Sequence, residues 1–190
     1  MSETAMRVFF AINLDIRSTR RIADYSRQLQ SNPAAPKASW VIPPKLHVTL
    51  KFLGEIDAEL APALGDAIRP IAASFGPLSI STGRLIGLPT TERARILAIE
   101  IDDLTRSLGE LNRAIETCVE QLGFPAEPRV YRPHVTLARP RDWADLGPLF
   151  AASSPLPQLV SPVSEVVLYR SDLAHSGAEY TAVGRWPLRT

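Results

Sequence analysis

The sequence predicts an α+β protein made of two similar halves, with antiparallel sheets lining a central cleft and helices packed outside. The first observation behind this prediction is that the tetrapeptide His-Val-Thr-Leu occurs twice, at 47–50 and at 134–137. The second is that the same shift of 87 residues lays 9–15 on 96–102, and each of these segments ends in an aspartate. Two small units of this kind bury their faces by packing about a pseudo-two-fold axis, which brings equivalent residues toward one another. We therefore expect a bilobed fold with an internal duplication.

Length and composition bound the organisation of the chain. At 190 residues it is long enough for a well-buried core, and we expect one two-lobed domain over 1–190 with internal repeats at about 7–54 and 94–139. The 21 basic and 20 acidic residues nearly cancel, so no global field draws the protein to nucleic acid or to a membrane, and phosphate recognition must be local. The single Cys118 excludes an internal disulfide, and no segment signals export or membrane spanning. A cytoplasmic monomer is expected.

The elements follow from hydrophobic periodicity and from turn residues. Pro43 and Pro44 force extended backbone into the first motif strand, and Gly54 is expected to end it. Asp57 is a candidate N-cap for the second helix, and the apolar stripe of the third helix closes at Gly123. The predicted strands cover 7–13, 46–53, 78–88, 95–101, 130–138, 163–170 and 180–186, and the predicted helices cover 18–29, 57–73, 104–122 and 142–150.

The two motifs carry a pattern suited to phosphate chemistry. Side chains alternate along a strand, so His47 and Thr49 share one face, as do His134 and Thr136 in the second copy. Imidazole has an unperturbed pKa of about 6.5, so one copy can accept a proton while the other donates one. Cleavage of a phosphodiester needs such a base and acid on opposite sides of phosphorus. A threonine hydroxyl on the same face can donate to a non-bridging oxygen as charge builds.

Nearby cations extend the predicted site. Lys45 and Arg132 stand two residues before the histidines, and Lys51 stands two residues after Thr49, so alternation places all three in the cleft as substrate-binding residues. Arg132 is the strongest of these candidates, because a guanidinium fork matches two phosphate oxygens. The same rule places Arg139 on the opposite face from the catalytic side chains and makes it structural.

Other interpretations of these residues were weighed. A metal site is the main rival, but the sequence has no His-Glu-x-x-His, no cysteine pair and no third histidine in a suitable place, so we expect no metal and no cofactor. His175 is expected in an exposed hairpin turn, and Cys118 continues the apolar stripe of a helix and is expected in the core. Trp40 and Tyr131 are weak candidates for stacking a base.

The chain resembles the two-histidine phosphoesterases, and within them the RNA 2′,3′-cyclic phosphodiesterases, also called 2′-5′ RNA ligases. The resemblance covers almost the whole length, and residues 1–5 look like a short extra leader. It implies a bilobed α+β fold and hydrolysis of a terminal 2′,3′-cyclic phosphate on RNA to a 2′-phosphate, without metal. The matching stretches lie at 7–12, 47–54, 131–137, 168–171 and 185–187.

The resemblance also implies residue roles and partners. It makes His47 the proton donor and His134 the proton acceptor, with Thr49, Thr136 and Arg132 holding the phosphate. The partners it implies are RNA ends with a 2′,3′-cyclic phosphate, tRNA halves among them, and the reverse reaction would join RNA ends by a 2′-5′ linkage. Two alternatives remain open. One is a phosphodiesterase acting on small nucleotides such as cyclic-phosphorylated ADP-ribose or a 2′-5′ oligoadenylate, and the other is a non-catalytic RNA-end binder.

Overall fold

The computed structural model describes residues 5–103, 105–174 and 177–189. Within them the strands are β1 (Ala5–Asn13), β2 (Ala38–Trp40), β3 (His47–Asp57), β4 (Leu78–Pro89), β5 (Ala94–Asp102), β6 (His134–Pro140), β7 (Val160–Val163), β8 (Glu165–Ala174) and β9 (Gly177–Pro187). The helices are α1 (Ile16–Gln30), α2 (Ala61–Ser74), α3 (Ser107–Gln121) and α4 (Gly147–Ala151), with 3₁₀ turns at Pro43–Lys45 and Ala58–Leu60. The predicted α+β class is confirmed. In this part of the chain no helix has the length and apolar character needed to cross a membrane.

The strands form one antiparallel sheet with the two motif strands at its centre. Its order is β7-β4-β5-β6-β3-β1-β8-β9, and β2 pairs with β6 beside this row. Read outward from the central β6–β3 pair, the order is β5 then β4 on one side and β1 then β8 on the other. Each motif strand is therefore flanked on its outer side by two strands of the sheet, β5 and β4 beside β6 and β1 and β8 beside β3. The internal duplication and the single-domain division of 1–190 stay predictions.

The two faces of the sheet have different neighbours. Side chains such as Phe10 and Ile12 of β1 belong to one large core cluster that includes buried residues of α1, α2 and α3, and Val48 and Val135 of the motif strands join it. Phe9 alternates with Phe10 and is also buried, but it lies outside that cluster. Its face of the sheet is the one that carries the histidines. The helices thus cover one face and leave the other to form a cleft.

The motif strands differ from their predicted boundaries chiefly at the end of β3 and at the start of β6. β3 continues to Asp57 because Gly54 adopts a φ of +78° and remains paired with Val8 of β1. This left-handed backbone conformation is open to glycine and allows the strand to bend without ending. β6 begins only at His134, because the preceding segment with Pro128 and Pro133 lacks N–H groups needed for a ladder. The approach to the second motif is therefore irregular, as its prolines suggest.

Helix α1 begins at Ile16, earlier than predicted, because Asp15 caps it. The Asp15 carboxylate accepts from the backbone N–H groups of Arg17 (2.8 Å) and Ser18 (3.0 Å) and from the Ser18 hydroxyl (2.6 Å). Burial raises the pKa of Asp15, but hydrogen bonds from Ser18, Ser161 and Arg17 outweigh it and hold the pKa at about 2. A capping carboxylate of this kind satisfies N–H groups that the helix itself leaves unpaired.

Removing this cap tests how much it contributes to the stability of the protein. We expect Asp15→Ala to lower the free energy of unfolding by about 1 kcal/mol at neutral pH. Because the folded pKa lies below the ordinary value of 3.8, the contribution is present above that value and is lost as pH falls through about 2. Urea denaturation between pH 2 and 7 measures it, with Asp24→Ala on the exposed surface of α1 as the control. Equal effects of the two substitutions would contradict the capping role.

Candidate active site

The motif strands meet at one point of the sheet. β3 and β6 pair through Val48 and Val135, and both valines point into the core. The residues flanking each valine therefore point into the cleft and stand across from one another. Diagonal neighbours in an antiparallel pair are about 7–8 Å apart, which places both imidazoles within reach of one small group between them. The four side chains brought together in this way are His47, Thr49, His134 and Thr136.

The two imidazole rings are oriented by the same backbone contact. The Nδ1–H of His47 donates to the carbonyl oxygen of Lys45 (2.8 Å), and the Nδ1–H of His134 donates to that of Arg132 (2.7 Å). A carbonyl oxygen only accepts, so the proton of each neutral ring resides on Nδ1 and leaves Nε2 unprotonated. The Thr49 hydroxyl lies 3.1 Å from His47 Nε2 and donates to it. Each ring therefore presents the nitrogen that can take up or deliver a proton.

The strands outside the motif strands place matching residues beside the site. In register, Ala11 of β1 lies opposite the first threonine and Ala98 of β5 lies opposite the second. Asn13 and Glu100 lie opposite the first and second histidine in the same way. Both pairs of residues are 87 positions apart in the sequence. A methyl group beside each threonine leaves space on the cleft face of the sheet next to both residues.

Each motif strand contains a β-bulge directly after its threonine. The register of β3 with β1 skips Leu50, and that of β6 with β5 skips Leu137. An extra residue in one strand reverses the alternation of the side chains that follow it. Beyond the bulges, Lys51 faces the helices and Phe52 and Arg139 face the cleft. This reversal changes the list of residues that border the site.

The predicted place of Lys51 in the cleft is wrong. Its side chain is only 5% exposed, and its ammonium donates to Glu116 of α3 (2.6 Å) and to the carbonyl oxygen of Pro125 (2.8 Å). Simple alternation from Thr49 fails because Leu50 is the extra residue of the bulge. Lys51 therefore binds other parts of the protein and is directed away from a substrate.

The predicted placement of Arg139 on the opposite face is also wrong. The bulge at Leu137 turns this exposed side chain into the cleft, and its positive charge lowers the pKa of both His47 and His134. Arg132 also reaches the site: its charge lowers the pKa of His134, and its guanidinium lies 4.0 Å from Glu100. Sequence reasoning missed Arg139 because a bulge leaves no mark in the sequence.

Lys45 enters the site in a different way from the one predicted. It ends the 3₁₀ turn Pro43–Lys45 just before β3, and its half-buried side chain lies outside the strand. Its carbonyl oxygen orients His47. The backbone of Lys45 thus has a defined contact in the site, while substrate binding by its ammonium stays a prediction.

The free site favours neutral histidines. Burial lowers the pKa of His47 from 6.5 to about 4; the hydrogen bond to Lys45 opposes this shift, and the charges of Arg139 and His134 add to it. Burial likewise lowers the pKa of His134, again opposed by its carbonyl partner and reinforced by Arg139 and Arg132. An anion between the rings would act in the opposite sense, because a nearby negative charge favours the imidazolium.

The cleft has an aromatic wall beside His47, made of Phe9, Phe52, Tyr169 and Tyr180. The ring centroids of Phe9 and Tyr180 lie 5.0 and 5.3 Å from that of His47. Phe52 packs against Phe9 and is 54% exposed. The Tyr169 hydroxyl donates to Asn13 (3.0 Å), which fixes its ring next to the site. Exposed aromatic surface beside a phosphate site is suited to stacking a nucleobase.

The other side of the cleft is an arginine wall, made of Arg84, Arg132 and Arg139, of which Arg84 and Arg132 lie beside Glu100. The Arg84 Nε donates to the Glu100 carboxylate at 3.2 Å. Phe52 and Arg139 are 87 residues apart, so the same position carries an aromatic ring in one half and a guanidinium in the other. The offset pairs these two residues, but it does not show which face of the sheet they occupy.

The remaining predicted residues have other environments. The Tyr131 hydroxyl donates to the Thr49 carbonyl (3.1 Å), and Trp40 is half-buried; both pack against the core, which does not favour base stacking. Cys118 packs against the core as predicted. His175 lies outside the described residues. Within the described ranges, no three or more His, Cys, Asp or Glu side chains are grouped to hold a metal ion.

Residues 20–175 match the 2′-5′ RNA ligase superfamily, and the chain belongs to this family. The RNA 2′,3′-cyclic phosphodiesterase of Geobacillus stearothermophilus is 28% identical over 183 residues, which are 95% of this chain. The chain spans 56% of the length of that relative. The RNA 2′,3′-cyclic phosphodiesterase of Methanothermobacter thermautotrophicus is 28% identical over 179 residues, which are 93% of this chain and 95% of the relative.

The fold is also similar to a solved structure. The crystal structure of Escherichia coli LigT complexed with 3′-AMP superposes with a TM-score of 0.79 at 25% identity, covering 98% of this chain and 99% of LigT. The strand and helix arrangement described above is thus that of LigT along nearly its whole length.

The pKa values of the two histidines are directly measurable. We expect His47 to titrate near pH 4 and His134 below 6.5 in the free protein, so both rings are neutral at pH 7. Arg139→Gln should raise both values, because it removes a positive charge that lowers them. Proton NMR of the imidazole signals, assigned with His47→Gln and His134→Gln, measures this. Titration of His47 at 6.5 or above would contradict the described environment.

Proposed function

We propose that this protein hydrolyses 2′,3′-cyclic phosphate ends of RNA to 2′-phosphates without a metal ion, with His47 and His134 as the acid and base. The observation that carries the proposal is the square of two histidines and two threonines, in which each ring is bound through Nδ1 and leaves Nε2 available for proton transfer. Family membership and the activity named for the relatives support the choice of substrate.

The proposed reaction transfers two protons on opposite sides of phosphorus. His134 Nε2 takes a proton from water as the water oxygen bonds to phosphorus. The bond from phosphorus to the ribose 3′ oxygen breaks, and His47 Nε2 delivers its proton to that oxygen. The product is a 2′-phosphate with a free 3′ hydroxyl. The roles follow the resemblance of the first motif to the proton donor of the family. The same steps with an RNA 5′ hydroxyl in place of water would form a 2′-5′ linkage.

Charge in the cleft gives the substrate a role in starting the reaction. Both histidines favour the neutral form in the free protein, yet the acid must be protonated. A phosphodiester anion between the rings raises both pKa values and allows one ring to take up a proton. In this proposal Thr49, Thr136 and Arg139 donate to the non-bridging oxygens, whose charge grows in the transition state. The positive charge of Arg139 thus lowers the pKa of the free acid and stabilises the bound anion.

The aromatic wall supports a nucleotide substrate, because a base attached to the cyclic phosphate can stack there. A panel of one cyclic nucleotide, an oligoribonucleotide with a cyclic phosphate end, a cyclic-phosphorylated ADP-ribose and a 2′-5′ oligoadenylate separates RNA from small nucleotides as the substrate. Action on tRNA halves, a monomeric state and a cytoplasmic location remain predictions.

Removing each histidine tests the chemistry. We expect His47→Ala and His134→Ala each to lower turnover of a cyclic-phosphate oligoribonucleotide on the order of 10²–10⁴-fold. The double variant should be barely worse than either single one, because acid and base act as a unit. Activity should survive chelation. Chromatography of the 2′-phosphate product measures the rate, and circular dichroism checks the fold.

Three results would count against this proposal. Near-normal turnover in either single variant would remove that histidine from the mechanism. Loss of activity on chelation, with recovery on adding zinc or manganese, would make the histidines metal ligands. If the wild-type protein binds the RNA end but shows no turnover, it is the non-catalytic binder.

Matched substitutions distinguish the contributions of Arg139 and Arg132 to catalysis. We expect Arg139→Ala to weaken transition-state binding by about 1.5–3 kcal/mol, because it removes a charge-assisted hydrogen bond. Arg139→Lys should recover only part of this, since an ammonium keeps the charge and loses the fork. Arg132→Ala should cost less, because Glu100 lies beside its guanidinium. The ratio of kcat/KM values measures the differences, with Arg95→Ala as a control. An unchanged Arg139→Ala together with an inactive Arg132→Ala would reverse the assignment.

A further inference from the structure

The two bulges of the motif strands are held in different ways. In the second half, β2 pairs with β6, and the backbone N–H of Val41 donates to the carbonyl oxygen of Leu137 at the bulge (2.8 Å). The segment 87 residues beyond β2 and Val41 begins with Pro125 and ends with Pro128. Proline has no N–H to give to a ladder, and no strand forms beside β3 over these described residues. The first motif strand therefore lacks the neighbour that the second one has.

Side chains take the place of this missing strand. Asn112 of α3 donates its amide N–H to the carbonyl oxygen of Leu50 (2.8 Å), and the Tyr131 hydroxyl donates to that of Thr49 (3.1 Å). Lys51 binds Glu116 and the carbonyl oxygen of Pro125. We call Asn112, Tyr131, Lys51 and Glu116 the side-chain seam. Three consecutive residues of the first motif strand, from Thr49 to Lys51, are thus each tied to the second half of the chain.

The composition of the seam points to positioning as its purpose. A buried ion pair loses hydration and contributes little net stability compared with apolar residues of similar volume. Lys51 is almost fully buried, and so is Asn112. Such polar groups give directed contacts with fixed geometry, which apolar packing does not. Their contacts lie at the bulge that follows Thr49. The bulge residue Leu50 is three residues after His47.

We propose that Asn112, Lys51 and Glu116 are positioning residues that hold His47 and Thr49 in alignment with the second motif. The proposal rests on the proposed function for its activity readout. Without the seam, β3 and its partner strand β1 would keep only the Val48–Val135 pair with β6 and could shift or twist together about it. A displacement of about 1 Å at the reacting groups costs on the order of 10²-fold in rate.

The first test compares two substitutions that remove buried side-chain hydrogen bonds, one at Asn112 and one at Thr82. Asn112→Leu removes the amide that binds the bulge. Thr82→Val is the matched control. Thr82 is buried on β4, away from the motif strands, and its hydroxyl accepts from the backbone N–H of Leu159 (2.8 Å). We expect similar losses of stability, but only Asn112→Leu should lower kcat, on the order of 10–100-fold, with KM changed by no more than about twofold.

The second test separates alignment from stability. Lys51→Met leaves Glu116 without its cation, whereas the double variant Lys51→Met with Glu116→Gln removes both charges. We expect the double variant to recover thermal stability relative to the single one, because no uncompensated charge remains. It should not recover kcat, because the anchor on Pro125 is absent from both variants. Recovery of stability and kcat together would reduce the pair to a structural role.

A readout independent of turnover completes the experiment. Imidazole NMR titration should show the pKa of His47 rising toward 6.5 in Asn112→Leu and in the double variant, as water reaches a ring whose burial lowers it in wild type. The control should retain the wild-type value. If wild type has no activity on the cyclic-phosphate oligoribonucleotide, the proposed function fails, and this titration alone decides the role of the seam. Wild-type His47 titration and kcat in both seam variants would overturn the proposal.

Discussion

Two β-bulges at equivalent places determine which side chains the cleft contains. In a regular strand, alternation would turn Lys51 toward the substrate and Arg139 toward the core. Because Leu50 and Leu137 are extra residues in their ladders, the cation at 51 is buried and the guanidinium at 139 is turned into the cleft that holds the two histidines. The backbone irregularity, and not the motif residues alone, thus decides which charged side chains face the cleft.

The bulges act together with an identical arrangement of the two rings. Each histidine is tied by Nδ1 to the carbonyl oxygen two residues before it, so both present the same nitrogen and differ only in their surroundings. His47 lies beside the aromatic wall, and His134 lies beside arginines, which is a difference in environment between two equal groups. Differences of that kind separate the pKa values of paired acids and bases and so assign their roles.

The sequence predicts the meeting of the two motifs because their repetition and spacing are visible in the residues themselves. The α+β class and most element positions follow from periodicity in the same way. The bulges could not be predicted, since Leu50 and Leu137 are ordinary strand residues and the skipped pairing is decided by the neighbouring strands. Lys51 and Arg139 were misplaced for this single reason. Gly54 was predicted to end β3, as glycines often do. Its left-handed backbone conformation instead allows the strand to bend and continue.

The agreement of register between the halves has a practical consequence for experiments on this chain. Thr49 and Thr136 face alanines, and the histidines face Asn13 and Glu100, at positions that correspond one to one. Each half is therefore an internal reference for the other: a substitution made at one site can be repeated at its counterpart within the same polypeptide and at the same concentration. Differences between such paired variants report on the surroundings alone, free of the variation that separates one homologue from another.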